Sequence, residues 1–467
     1  LTLLLLGAAT GWPALLPSTA YAGDPAVEGQ WSPVRKLPWR PVNSILLPTG
    51  NVLFYPTTDD RVLWDPVADT LSTETPNTDD DVPPFGYNPF CSGHSQMADG
   101  RVLITSGAVS DLLGLPNSSI YNPVDNTFTP LPYMNGGRWY PTQVTLGNGD
   151  VVTMSGNKED GTRNTIPQVW QVGSNSWRDL TGADLSISLY PAAFLASNGK
   201  VFVATAVSRY LNTTGTGSWT TVAQRKVSTR DYYGSAAMYD VDKVIYTGGG
   251  KTPVSSVETI SLSDATPTWK SGTPMPQKRL QHNITILPDE TLLVTGGSSS
   301  YGLDTDDGPK PAINYNVSTK IWTTWAMAAE YRGYHSGAVL LPDARVAVIG
   351  GNNHPSLEIF SPPYLFKGQR PTISSAPENV KYGQPFFVGT PDGASVAKIN
   401  LLRLSAVTHT KNMNQRINKK LVFSQTVGGL NVTPPTSSNR CPPGDYMLFL
   451  LNANGVPSVA KIIRINK

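Results

Sequence analysis

A length of 467 residues exceeds what one ordinary core fills, so several domains or one large repeat fold is expected. The 42 glycines and 40 prolines imply frequent turns. A charged fraction of only 15% and a net charge of +2, with no long basic run, point to neither nucleic acid nor an anionic membrane.

The first 22 residues, ending in Ala20-Tyr21-Ala22, read as a secretory signal without its basic front end. Pro13, Pro17 and the shortness of the apolar run argue against a membrane anchor, and no later stretch is apolar enough to span a bilayer. The expectation is an exported protein, secreted or held in the cell envelope or periplasm, working as a monomer. Two cysteines, Cys91 and Cys441, allow one disulfide, although Cys91 has a second use set out below.

From residue 30 to residue 368 one phrase recurs: apolar strand, tight turn, second strand. It reads "NSILLPTGNVLFY", "SQMADGRVLITSG", "TQVTLGNGDVVTMSG", "AAFLASNGKVFVAT", "SAAMYDVDKVIYTGG", "NITILPDETLLVTGG" and "GAVLLPDARVAVIGG". The turn positions are Gly50, Gly100, Gly149, Gly199, Asp242, Glu290 and Ala344, spaced by 43 to 54 residues. A period near fifty with four strands per unit predicts a seven-bladed kelch-type β-propeller. The first blade lacks an early strand, and "SLEIFSPPYL" after the seventh is the candidate to supply it. From residue 371 to residue 467 short alternating strands without the phrase predict an immunoglobulin-like β-sandwich, so the fold class is all-β.

The repeat also locates a site. Nine residues before each turn stand Pro41, Cys91, Tyr140, Tyr190, Tyr233, Gln281 and His335. Equivalent positions in a propeller form a ring, here at one mouth of the central channel. A thiol, three phenols, an amide and an imidazole gathered at a concave mouth suggest a ligand site. Tyr334 precedes His335, and both address one point only if the backbone is irregular there, which Gly333 and Gly337 permit. In the sandwich, "SAVTHTKNMNQR" interrupts two apolar runs, so His409 sits at a hairpin tip and could reach the same point. Two imidazoles with one or two phenolates suit tetragonal copper better than tetrahedral zinc. His94, His282 and His354 are poorer candidates.

At these residues the chain resembles the copper radical oxidases, the galactose oxidase and glyoxal oxidase family. The matching motifs are "FCSGHSQMADGRVLITSG", "GRWYPTQVTLGNGDVV", "RGYHSGAVLLPDARV", "VTHTKNMNQR" and "CPPGDYMLFLLNANGVPSVAKIIRI", in family order over roughly residues 30 to 467. The resemblance implies one copper ion held by Tyr140, His335, His409 and, axially, Tyr334. It implies a Cys91–Tyr140 thioether carrying the radical, with Tyr334 as the base. The implied reaction is two-electron oxidation of a primary alcohol or aldehyde, small or glycan-borne, with O2 reduced to hydrogen peroxide.

Galactose oxidase differs in carrying a further N-terminal carbohydrate-binding domain, which this sequence is expected to lack. Where galactose oxidase stacks a tryptophan on the cross-linked tyrosine, this chain has Lys158, while Trp139 precedes Tyr140 as in the "RWY" of glyoxal oxidases. Arg40, Tyr190, Tyr233 and Gln281 are the candidates for the substrate pocket. The rival reading is a non-catalytic secreted kelch propeller that binds glycan or protein. A glycoside hydrolase is disfavoured, because the ring lacks paired carboxylates. The acidic stretches "NTDDDVPP" and "LDTDDGPK" read as solvated loops.

Overall fold

The computed structural model describes residues 23–55, 61–73, 85–227, 233–302 and 307–466. The signal-like segment 1–22, all of "NTDDDVPP" and the first half of "LDTDDGPK" lie outside them. Beyond one turn of α-helix at Pro25–Glu28 and short 3-10 turns, the described elements are strands.

Seven antiparallel blade sheets follow one another, five of them four-stranded, with six strands in the sheet of blade 1 and five in that of blade 7. Blade 1 runs Asn43–Leu46, Val52–Tyr55, Val62–Asp65 and Thr70–Thr73. The inner strands are buried on both faces, as at Thr142–Thr145, whereas outer strands such as Thr127–Pro130 are largely exposed. That gradient is what radial stacking demands: the inner edge faces the axis and the outer edge faces water.

The recurrent phrase is the hairpin between the first and second strands. Gly50 N–H donates to Leu47 O at 3.0 Å and Leu47 N–H to Asn51 O at 2.8 Å, the pattern of a tight turn followed by a left-handed residue. All seven turn positions are left-handed, with φ from 61° at Asp242 to 98° at Gly149. Glycine takes that conformation without penalty, while Asp242, Glu290 and Ala344 take it against preference.

One topological expectation is corrected. Ser356–Ser361, from "SLEIFSPPYL", pairs with Val346–Gly350 and is the third strand of blade 7. Only five residues separate those strands, and the chain returns as an immediate hairpin rather than crossing to another blade. Blade 1 has its own four strands. The outer edge of blade 7 comes instead from the N-terminal segments Gln30–Trp31 and Arg35–Lys36. The inner strand of blade 7, Ser336–Leu340, packs beside that of blade 1, so the two ends of the propeller meet.

The C-terminal domain sets a five-stranded sheet against a three-stranded one. The first contains Asn379–Lys381, Lys461–Asn466, Gly444–Asn452, Val396–Arg403 and Ile417–Asn418. The second contains Phe386–Gly389, Gly429–Thr433 and Val422–Thr426. Val388, Ile399, Leu401, Leu430 and Leu450 fill the space between, with Cys441 among them. Cys441 and Cys91 are both free thiols, so the disulfide that two cysteines allow is not formed.

What positions the site is the segment between Val396–Arg403 and Ile417–Asn418. It leaves the sandwich and enters the propeller axis, where Ala406–Thr408 pairs antiparallel with Asn43–Ile45 on the inner edge of blade 1. Its side chains grip other blades. Gln415 accepts from Ile286 N–H at 2.9 Å and donates to Ile286 O at 3.1 Å. Arg403 donates to Gln96 O at 3.0 Å, and Arg416 to Leu195 O at 3.2 Å. Backbone groups that would face an empty channel are thereby satisfied, and the tip of the hairpin is held from several sides.

Candidate metal centre and its cavity

Six of the seven ring positions share an unusual backbone. Cys91, Tyr140, Tyr190, Tyr233, Gln281 and His335 have φ of 63°, 70°, 41°, 57°, 54° and 64°, and only Pro41 in blade 1 does not. Non-glycine residues rarely adopt this region, and each such residue costs on the order of 1–3 kcal/mol. The turn aims each amide at the preceding blade. Tyr140 N–H donates to Cys91 O at 3.1 Å, Tyr190 N–H to Tyr140 O at 2.9 Å and Gln281 N–H to Tyr233 O at 2.9 Å.

The same turn brings sequence neighbours together. In an extended strand Trp139 and Tyr140 would face opposite sides. With Tyr140 left-handed, their rings stack at 3.6 Å between centroids and 6° between planes. Tyr334 and His335 are paired likewise, at 3.8 Å and 31°. Tyr190 lies against Tyr140 at 4.3 Å, and its hydroxyl donates to Ser92 O at 2.8 Å.

His409, also left-handed at φ 49°, stands at the tip of the hairpin from the sandwich. Its ring centroid is 4.5 Å from that of His335, 4.7 Å from Tyr140 and 5.5 Å from Tyr334. The Tyr140 and Tyr334 hydroxyls touch one another. Cys91 Sγ is 3.6 Å from His409 Nε2 and within hydrogen-bonding reach of the Tyr140 side chain. Two imidazoles, two phenols and one thiol, from blades 2, 3 and 7 and the C-terminal domain, therefore converge on one point. Among the described residues no three His, Cys, Asp or Glu side chains gather to hold a metal, so the donors that converge are of this mixed kind.

Burial and nearby positive charge keep the imidazole donors free of protons. Burial lowers the His335 pKa to about 3, the positive charge of Arg40 adding to the effect. Burial, followed by His335 and Arg40, holds His409 well below the usual imidazole range. Both rings are therefore neutral, as metal ligands must be. His335 Nδ1–H donates to Asn352 Oδ1 at 2.5 Å, which leaves the lone pair on Nε2. That Nε2 is buried and has no hydrogen-bond partner. Burial, and then Cys91 and Tyr334, push Tyr140 well above the ordinary phenol range. A bound cation reverses that penalty by stabilising the phenolate. An orphaned imidazole nitrogen beside two facing hydroxyls fits a copper ion.

A cavity of about 720 Å³ opens onto this point. Trp139, Tyr140, Tyr190, Tyr233 and His409 form part of its wall. Two residues expected at that wall are elsewhere. Arg40 donates to Asn352 O and Oδ1, both at 3.2 Å, and so sits behind His335. Gln281 is buried, with Nε2 donating to Gly302 O at 3.3 Å. Lys158 lies beside Gly136 rather than over the Tyr140 ring, which Trp139 covers. Of the other histidines, His94 meets the Tyr55 hydroxyl at 2.8 Å, His282 meets Thr247 at 2.8 Å and His354 faces Glu330 at 3.3 Å. Asn352 and Arg163 were not found from the sequence. Asn352 lies outside the repeat phrase and Arg163 in a loop between blade strands, so neither carried a periodic signal.

Fold and site together define a galactose oxidase-like protein: an all-β propeller whose axis is entered by a loop of a C-terminal early set domain. Residues 370–465 match the family described as galactose oxidase-like, early set domain. Galactose oxidase of Gibberella zeae is 27% identical, over 96% of this chain and 72% of that protein. Aldehyde oxidase GLOX1 of Arabidopsis thaliana is 28% identical, over 80% of this chain and 71% of that protein. A solved structure described as a novel fungal alcohol oxidase of the AA5 family, in complex with copper, superposes with a TM-score of 0.84 at 25% identity. It covers 94% of this chain and 100% of that one. The chain is thus a homologue of the copper radical oxidases, and its sequence motifs and fold agree on that family.

Proposed function

We propose that the protein is a copper radical oxidase that oxidises a primary alcohol or aldehyde and reduces O2 to hydrogen peroxide. One observation carries the reading. Tyr140, Tyr334, His335 and His409 meet at a buried point, with Cys91 beside Tyr140 and the Trp139 ring over it.

Those four residues would hold the ion, His335 and His409 through neutral nitrogens. Copper bound there supplies a one-electron acceptor, so a two-electron oxidation needs a second store in the protein. Tyr140 is that store. Its ring is wedged between Trp139 and Tyr190 and shielded from water, which suits a long-lived radical. The thioether joins Cys91 sulfur to the Tyr140 ring, with two hydrogens passing to dioxygen. Tyr334 takes the proton of the substrate hydroxyl, and oxidised Tyr140 takes hydrogen from the carbon. The scaffold holds these groups in register, and the strain at the ring positions belongs to that task.

The cavity and buried aromatic wall favour a small organic substrate over a non-catalytic role in binding a protein surface. Export is part of the proposal and rests on the segment 1–22.

The test is intact mass after exposure to copper in air. The expected protein is lighter by two hydrogens, and its Cys91 resists thiol reagents after unfolding and reduction. Copper-dependent peroxide from alcohols or aldehydes should vanish in Cys91→Ala and Tyr140→Phe. An unchanged mass, a reactive Cys91 and no peroxide from any alcohol or aldehyde would end the proposal.

A further inference from the structure

The cavity in front of Tyr140 is apolar in its body and cationic at its margin. Leu112, Leu189 and Val254 complete the aromatic wall, while Arg163, Lys251 and Lys411 are the charged side chains lining it. Among the described residues no carboxylate lines it. A space of about 720 Å³ is the size of a small-molecule site.

Arg163 is the informative residue. It is half-buried, and its Nη1 is buried without a hydrogen-bond partner. Burial lowers its pKa and no neighbouring charge offsets the effect. A guanidinium held this way is expensive unless something anionic completes it. The backbone fixes where it starts, and the side chain lines the cavity. Arg163 bridges to Asn157, and Asn157 bridges to Trp139, so the Arg163 backbone stands two strand rows from that of Trp139, whose indole covers Tyr140. Two rows are about 10 Å. A molecule reacting at Tyr140 and spanning one aromatic ring would bring its far end to this guanidinium. Lys411, two residues beyond His409, is anchored by donating to Gly234 O, and its charge helps depress the His409 pKa. Lys251 lies exposed at the margin.

We propose that the substrate is an anionic alcohol or aldehyde: an apolar, ring-sized body with the reacting carbon at one end and a carboxylate at the other, bound by Arg163. The assignment rests on the oxidase reading and adds to it the substrate class and its specificity-determining residue. A planar carboxylate matches the guanidinium fork, and the aromatic wall stacks the ring.

Three probes of similar size separate the possibilities: 4-(hydroxymethyl)benzoate, 4-methylbenzyl alcohol and 4-(aminomethyl)benzyl alcohol. On the copper-loaded enzyme, kcat/KM for the carboxylate should exceed that for the neutral alcohol by about tenfold or more. That is the size of one charge-assisted hydrogen bond in a partly buried site. The amine should be the poorest of the three, and the gap should narrow with added salt. Arg163→Gln should collapse the carboxylate-to-neutral ratio, and Arg163→Lys should restore part of it. A second arm needs no copper: calorimetry on the metal-free protein should detect 4-methylbenzoate but not 4-methylbenzamide, and Arg163→Gln should abolish the difference. Equal turnover of all three alcohols, or equal binding of benzoate and benzamide, overturns the proposal. Failure of every alcohol to yield peroxide counts against the oxidase reading, while the binding arm still decides the anion site.

Discussion

Asn352→Leu is the sharpest test of how the centre is held. Asn352 Oδ1 accepts from His335 Nδ1–H at 2.5 Å and from Arg40 Nη1 at 3.2 Å. His335 is only 5% exposed, so water cannot replace the lost acceptor. A buried donor left unsatisfied costs about 1–3 kcal/mol. The imidazole then loses the bond that fixes its tautomer and orientation. Removing such a support typically weakens metal binding by about 10- to 100-fold, or about 1.4–2.8 kcal/mol. The assay is titration of metal-free protein with cupric ion against a competing chelator, alongside a thermal melt. Asn352→Asp keeps an acceptor and should keep most of the affinity. If Asn352→Leu remains folded and binds cupric ion as tightly as the parent, His335 is not held in the way described.

Two further outcomes follow from the same geometry. Gln415→Leu strips both partners from Ile286 and should lower stability by about 2–5 kcal/mol, read as a fall in urea midpoint. A loss below about 1 kcal/mol would mean the hairpin is not anchored there. His94, buried against Tyr55, has its pKa lowered to about 3 from 6.5, mainly by burial. The unfolded chain therefore takes up a proton below pH 6.5 that the folded one refuses until about 3, and stability falls on acidification through that window. His94→Gln should reduce the slope of stability against pH there by up to about 1.4 kcal/mol per unit, and an unchanged slope would show that His94 does not titrate this way.

The seven-fold repeat was legible because each hairpin carries its own local code, an apolar pair of strands around a left-handed turn. Alignment of those turns also picked out the ring positions, since a position that repeats in sequence repeats around the axis. The meeting of Cys91, Tyr140 and His335 could therefore be anticipated, and the polar break around His409 marked the hairpin that reaches them. The sequence did not show that Ser356–Ser361 returns to its own blade, because strand order depends on which edge is free in three dimensions. Nor did it place Arg40 behind His335 rather than in the pocket.

By itself, then, the order of residues determined the repeat, the two-part all-β architecture and most of the side chains that gather at the axis. Only the tertiary structure decided that Trp139, not Lys158, covers Tyr140, that Asn352 orients His335, and that Arg163 stands unpaired at the cavity. Periodicity reports what a residue shares with its equivalents in other blades. These three lie outside the ring position, and their roles come from distances across the fold that no local pattern encodes.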